Sequence, residues 1–577
     1  MSATGRREGG ETHAPTGQTS AQNQPSAQSK SGRFDVVIVG AGFGGMYLLH
    51  RLRALGFSAR IYEAATGVGG TWYWNRYPGA RCDVESMQYS FSFSKELQQE
   101  WSWSERFAGQ PEILAYANHV ADRFDLRRDI QFETRVTSAH FDETTKSWTV
   151  TTDRGDKIDA QHCVMATGCL STARLPEIKG RDSFKGASYH TGYWPHEGVD
   201  FTGLRVAVIG TGSSAIQAIP VIAAQAGTLT VFQRTPNYSI PSRNGPMTPD
   251  YEGPWKAHYD TRRAKARTMR TGILYNATDS NYGINDVSAM DVPPQERARI
   301  YEERWATGGT SFMAAFNDLI TNQASNDTAS DFVRSKIRRT VKDPETAEIL
   351  CPKDYPIGTK RICVDTNYFE TYNRSNVKLI DLKAEPIEEI TPNGVRTTAA
   401  EFEFDAIVYA TGFDAMTGAL TSIDIRGRDG IVLAEKWHGG PQTYLGLMTA
   451  GLPNLFMITG PGSPSVLSNM IVSIEQHVDW LVDAIVHMRS NGLATIEPTA
   501  DAETRWGQHV NEAGERTLYT KAASWYMGAN IPGKPRVFMP YIGGVGIYRQ
   551  ECDAVAAKGY EGFVVTARDK TRAVAAE

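Results

Sequence analysis

Twice in this 577-residue chain an apolar strand runs directly into a glycine cluster and out of it into a helix, a grammar that leaves few folds open. The first occurrence reads Val36–Val39, then Gly40-Ala-Gly42-Phe-Gly-Gly45, then a helical segment from Met46 to Leu55 and a strand, Ser58–Tyr62, that ends at Glu63. The second reads Val206–Ile209, then Gly210-Thr-Gly212-Ser213-Ser-Ala215, a helix over Ala215–Gln225 and a strand, Leu229–Gln233, that ends at Arg234 beside Thr235. In such a unit the first glycine permits the turn, the second lets a pyrophosphate approach the backbone, and the third small residue packs helix on strand, while the helix N-terminus offers its unpaired N–H groups to the phosphates. Glycine turns after strands also arise for structural reasons alone, so the residue closing the second strand carries the reading. Glu63 is placed to accept ribose hydroxyls. An arginine in the matching position, with Thr235 next to it, suits the 2′-phosphate of NADPH better than NADH.

The expected fold is therefore α/β, with two Rossmann-like dinucleotide-binding domains. Apolar strands at Cys163–Met165 and Ile407–Tyr409 each run into Ala-Thr-Gly, at 166–168 and 410–412, and read as returns to a sheet edge beside a nucleotide. From about 237 to 356 the strand pattern gives way to polar, helix-forming stretches such as Pro294–Trp305, read as an inserted helical subdomain. The expected division is a disordered tail over 1–32, a first domain over 33–175, a second over 176–236, the helical insertion over 237–356, the rest of the second domain over 357–403, the rest of the first with a mobile C-terminal loop over 404–566, and a tail over 567–577. Residues 1–32 hold no apolar run that could act as a secretory signal, and no stretch is long and apolar enough to cross a membrane, so the expected location is cytoplasmic. A net charge of −5 gives no general attraction to nucleic acid or anionic lipid. The six cysteines form neither a C-x-x-C pair nor a metal cluster, so no metal is expected. Nothing demands an assembly beyond a monomer or weak homo-oligomer.

Two dinucleotide folds in one chain suggest FAD receiving electrons from NADPH, a plan that disulfide reductases share. After Glu63, however, comes Gly69-Gly70-Thr71-Trp72, and the region where such reductases carry a redox dithiol offers only Cys82. Electrons must leave the flavin for another acceptor, and molecular oxygen is the natural one. The segment Phe184-Lys-Gly186-Ala-Ser-Tyr-His190-Thr-Gly-Tyr-Trp194-Pro195 fits the F-x-G-x-x-x-H-x-x-x-W-P fingerprint of type I Baeyer–Villiger monooxygenases, and Gly70-Thr71-Trp72 through Tyr77-Pro78-Gly79 to Asp83 resembles their second signature. The similarity runs from Phe34 to about Val565. It implies an FAD-containing, NADPH-dependent enzyme that inserts one atom of O2 beside the carbonyl of a hydrophobic aryl, linear or cyclic ketone, giving an ester or lactone.

The resemblance also implies site roles. Arg361, in Ile357-Gly-Thr-Lys360-Arg361, resembles the family's active-site arginine and Asp83 the carboxylate that holds it near the flavin; on residues alone the two read equally as a structural ion pair. Gly70, Thr71, Trp72 and Asp83 join Gly40, Gly42, Gly45 and Glu63 on the FAD side. Lys360 and Trp525, the latter in a loop expected to close over NADPH, join Gly210, Gly212, Ser213, Ala215, Arg234 and Thr235 on the NADP side. His190, otherwise a linker histidine, is given a conformational role. Leu445–Leu452 and Pro461–Met470 are expected to line the substrate pocket. Nitrogen- or sulfur-oxidising monooxygenases and an uncoupled NADPH oxidase are the alternatives, and Trp194-Pro195 favours the Baeyer–Villiger group over the first of them.

Overall fold

A computed structural model describes residues 31–276 and 281–568. Most of the tail expected over 1–32, and residues 569–577 of the C-terminal tail, lie outside the described residues. Val36–Val39 are buried on both faces, as a central parallel strand requires. In chain order the first unit lays down β1 (Ser31–Val39), α1 (Phe43–Ala54), β2 (Ala59–Tyr62), β3 (Ile130–Gln131), β4 (Val136–Asp142), β5 (Ser147–Thr152) and β6 (Lys157–Met165). The chain then crosses to a second unit with β7 (Ala187–His190), β8 (Arg205–Ile209), α2 (Ser213–Gln225) and β9 (Thr228–Gln233). Then comes β10 (Ser239–Pro241), and after a largely helical stretch β11 (Cys363–Asp365), which pairs with it, β12 (Val377–Asp381), and a small antiparallel sheet of β13 (Ile387–Thr391), β14 (Gly394–Thr397) and β15 (Glu401–Glu403). Last come β16 (Ala406–Tyr409), β17 (Asp424–Arg426), β18 (Leu455–Met457), the buried helix α3 (Met470–Ser490), and β19 (Leu493–Pro498), which pairs with β20 (Phe563–Ala567).

The first sheet runs β17-β4-β5-β6-β1-β2-β3 with β18 also on β6, and the second runs β12-β9-β8-β16-β7, all parallel. In both, the strand leading into the glycine turn lies next to the strand that ends in Ala-Thr-Gly: β1 beside β6 and β8 beside β16. The strand order reverses there, opening a crevice at the carboxyl ends. Gly40 (φ +106°) and Gly210 (φ +115°) sit at these points, and a Cβ on either would lie 2.7 Å from Ala166 O or 2.5 Å from Ala410 O. The two Ala-Thr-Gly strands thus lie inside their sheets, not at the edges expected, because the return strand must flank the central one to form the crevice.

Three further expectations need correction. Strand β1 begins before 33, since Ser31–Phe34 pair with Lys157–Ala160 through backbone bonds that demand no apolar pattern. The boundary at 404 is too early, because β16 belongs to the second sheet and the return to the first unit follows Ala410–Gly412. The stretch 237–356 is helical but is not one subdomain. Trp255, Tyr259 and Met269 pack into the core of the first unit, whereas Tyr301, Phe316, Val333 and Ile337 pack into that of the second. Its apolar residues are partitioned between two existing cores, so it straps the units together. No helix among the described residues is long and apolar enough to cross a membrane.

A Cβ on Gly45 would fall 2.0 Å from Gly40 O, whereas Ala215 at the matching place in α2 is buried without such a clash. Gly45→Ala is expected to lower stability by about 1–3 kcal/mol and to weaken flavin retention, measurable by thermal melting and by bound flavin per chain; Ala215→Gly should leave flavin content unchanged.

Candidate active site

Both crevices open into one cleft of about 1400 Å³, larger than the ~300–1,000 Å³ of an ordinary single-ligand site. From the first unit Gly40, Gly42, Glu63, Gly70, Thr71, Trp72 and Asp83 line it. From the second come Gly210, Gly212, Ser213, Arg234, Thr235 and Lys360, and Arg361 and Trp525 stand at the seam. Of the residues given catalytic, cofactor-binding or conformational roles in the sequence, Gly45, Ala215 and His190 do not line it; the first two are packing positions under their turns.

The residues fit two dinucleotides. Both α1 and α2 start at a glycine N-cap with no side-chain capping bond and no acidic residue in the first turn, leaving their leading N–H groups for an anion. Glu63 is buried, and its carboxylate accepts from Ala41 N at 2.7 Å and Ala65 N at 2.8 Å. Burial raises its pKa, and the backbone amides oppose that rise. An acceptor so placed, one strand away from the turn, matches a ribose diol.

The second end of the cleft has the opposite sign. Lys360 Nζ lies 4.5 Å from the centroid of Tyr355 and near exposed Arg234; burial, then the charge of Arg234, lowers its pKa. Neither cation has a salt bridge among the described residues. The Asp354 charge partly opposes the lowering at Lys360, yet no carboxylate is ion-paired with either cation among the described residues, and two such cations suit a phosphate dianion, as the 2′-phosphate reading requires.

Between the ends, Arg361 Nε donates to Asp83 Oδ2 at 2.8 Å and Nη1 to Val466 O at 3.1 Å. The Asp83 side chain is 8% exposed and that of Arg361 35%. Burial alone would ease the guanidinium's proton off, but the charge and hydrogen bond of Asp83, together with the neighbouring Tyr526 and Cys82, outweigh it and the pKa is raised. Cys82 stands free and buried, its thiol pushed up to about 12 by burial, so it offers no thiolate for a dithiol relay. Among the described residues no group of three or more His, Cys, Asp or Glu could hold a metal ion.

A family model described as pyridine nucleotide-disulphide oxidoreductase matches residues 37–267. A Baeyer–Villiger monooxygenase of Pseudooceanicola batsensis is 44% identical over 544 residues, 93% of this chain and 97% of that protein. A phenazine N-monooxygenase of Lysobacter antibioticus is 42% identical, covering 92% and 97%. Among solved structures, an oxidised steroid monooxygenase bound to NADP superposes with a TM-score of 0.88 at 53% identity, over 93% of this chain and all of that one. OTEMO in complex with FAD and NADP gives 0.88 at 42% identity, over 92% and 99%. The chain belongs to the Baeyer–Villiger monooxygenases.

FAD and NADPH are the cofactors of this Baeyer–Villiger monooxygenase. His190 lies at the end of β7, outside the cleft. Its Nδ1 accepts from Gly192 N at 3.0 Å, and its Nε2 lies 3.4 Å from Thr411 Oγ1, which donates to Arg174 O at 2.7 Å. Burial lowers its pKa, so the ring is held neutral where both crossover segments pass between the units. Trp525 is half-buried, and its loop is tied to the second crossover by Asn530 Nδ2 donating to Phe413 O at 2.7 Å and by the Lys534–Asp414 ion pair at 2.6 Å.

The expected pocket lining is corrected in one part. Val466, Ser468 and Met470 line the cleft, but Leu445, Leu447, Met448 and Leu452 are buried in the first unit's cores and none of 445–452 reaches it. Their apolar run is a packing signal. Leu170, Cys169 and Ile474 do line it and carried no distinguishing pattern.

Lys360→Ala or Arg234→Ala is expected to raise KM for NADPH about tenfold or more while leaving KM for NADH nearly unchanged. Because Lys360 loses its proton below the ordinary lysine range near ~10.4, KM for NADPH in the parent should climb with pH before that range is reached, and Lys360→Ala should flatten the climb; steady-state kinetics against pH read both.

Proposed function

We propose that this chain binds FAD on the first unit and NADPH on the second and oxidises hydrophobic aryl, linear or cyclic ketones to esters or lactones. The observation that carries the reading is the Asp83-held Arg361 in a cleft shared by both glycine turns. When bound, FAD reduced by NADPH supplies the activation of O2. The chain's own residues supply the rest. Arg361 stays protonated across the working pH range, and its bonds to Asp83 and Val466 O fix its plane while other N–H donors remain for the cleft. A preorganised cation there stabilises negative charge on the oxygen donor and on the substrate carbonyl as it develops. Asp83 orients the guanidinium and offsets the cost of burying its charge. Gly70, Thr71 and Trp72 wall the flavin side, and Leu170, Val466, Met470 and Ile474 give an apolar surface for the ketone. The Trp525 loop, tied to the second crossover, excludes water, and His190 holds that crossover to the first.

The similarity to a phenazine N-monooxygenase supports heteroatom oxidation as a second activity of the same cleft. We place the enzyme in the cytoplasm as a monomer or weak homo-oligomer; six free, buried cysteines suit a reducing compartment.

Arg361→Ala tests the reading. Mixed anaerobically with NADPH, the variant is expected to reduce its flavin; on aeration with ketones its ester or lactone yield should fall at least about 10²-fold, with hydrogen peroxide formed instead. Ester yield unchanged from the parent would remove Arg361 from the chemistry.

A further inference from the structure

Gln217 lies inside the second unit, one turn beyond the Ser213 start of α2, yet its side chain is spent wholly on the first unit. Its Oε1 accepts from Tyr77 Oη at 2.8 Å and from Arg81 N at 3.3 Å, and its Nε2 donates to Arg81 O at 3.0 Å. The two units also touch at backbone level here: a Cβ on Gly79 (φ +79°) would lie 2.3 Å from Gln217 O and 3.1 Å from Val221 Cγ2. The segment 77–81 leads directly into Asp83. Its far side is anchored in the first unit, where Cys82 N donates to Ala108 O at 3.3 Å and Arg81 pairs with Glu105 at 2.7 Å. A polar side chain 9% exposed on a helix otherwise buried through Ile216, Ala218, Ile219 and Ile222 needs its partners, because an unpaired amide there costs free energy.

We propose that Gln217 is a positioning residue that couples the seating of α2 on a bound nucleotide phosphate to the placement of Asp83, and through Asp83 to the aim of Arg361. Phosphate at the Gly212–Ser213 end fixes the axial position of α2; Gln217 passes that position to both sides of the Tyr77–Arg81 turn; Asp83, two residues on, moves with it. The arginine is then held in its productive orientation when the second site is filled. The inference rests on the assignment of NADPH to the second unit.

The test uses the full-length FAD-loaded protein and NADP⁺ as the probe, with amide hydrogen exchange as the readout. In the parent, NADP⁺ should slow exchange both at the α2 start (210–216) and in the 77–84 segment. Gln217→Met, which conserves volume so that the helix stays packed, should keep the first protection and lose the second. Gln217→Glu, which retains the acceptor for Tyr77 and Arg81 N, should keep part of it. In turnover, Gln217→Met should leave KM for NADPH within about threefold of the parent and cut ester formation about 10- to 100-fold. Protection at 77–84 that survives in Gln217→Met, or ester formation at the parental rate, overturns the coupling. Absence of NADP⁺ protection at 210–216 in the parent itself would instead bring down the cofactor assignment beneath it.

Discussion

The ion pair between Asp83 and Arg361 joins segments 278 residues apart, one following the first glycine turn and the other following the helical strap between the units. Neither partner is stable there alone. A carboxylate 8% exposed needs a cation, and a guanidinium drawn into the cleft needs its charge offset. Holding the pair together requires that two separately built sheets, the first mixed and the second parallel, meet with their crevices facing. The fold meets that demand in three places: the crossover segments knitted around His190, the helical strap divided between two cores, and the Gln217 contact of α2 with Tyr77 and Arg81.

The charged residues of the cleft differ between its two sides. A buried acid, Glu63, closes the strand beside the first turn; Arg361, held by Asp83, stands at the seam; and Lys360 and Arg234, with no ion pair among the described residues, stand on the second unit's side. Both helices that follow the glycine turns, α1 and α2, start free of acidic residues, as a polyanionic ligand requires. Leu170, Val466, Met470 and Ile474 add an apolar wall to the same cleft.

The two glycine turns, their strands and the residues closing those strands were legible in the sequence because a turn, a close backbone approach and a charge each leave a residue-type trace at fixed spacing. Helix α2 starts two residues before the expected Ala215, since the small polar Ser213 and Ser214 carry no periodicity. The assignment of β16 was not legible: Ala406–Tyr409 reads as a buried parallel strand in either sheet, and only the pairing with β8 decides. The strap around 237–356 misled because periodicity marks a buried face without saying which core buries it. Leu445–Leu452 failed for the same reason, being apolar toward the core. Gln217 left one faint trace, a lone amide on the apolar face of a helix, whose partners lie 136 and 140 residues away.

The account stands on the claim that electrons from NADPH and one atom of O2 reach a ketone in this single cleft. Turnover under isotopically labelled dioxygen, with product mass and NADPH consumption recorded together, measures that directly. The account predicts an ester or lactone carrying one labelled oxygen for each NADPH consumed. NADPH consumed with only labelled hydrogen peroxide formed, across aryl, linear and cyclic ketones, would contradict it.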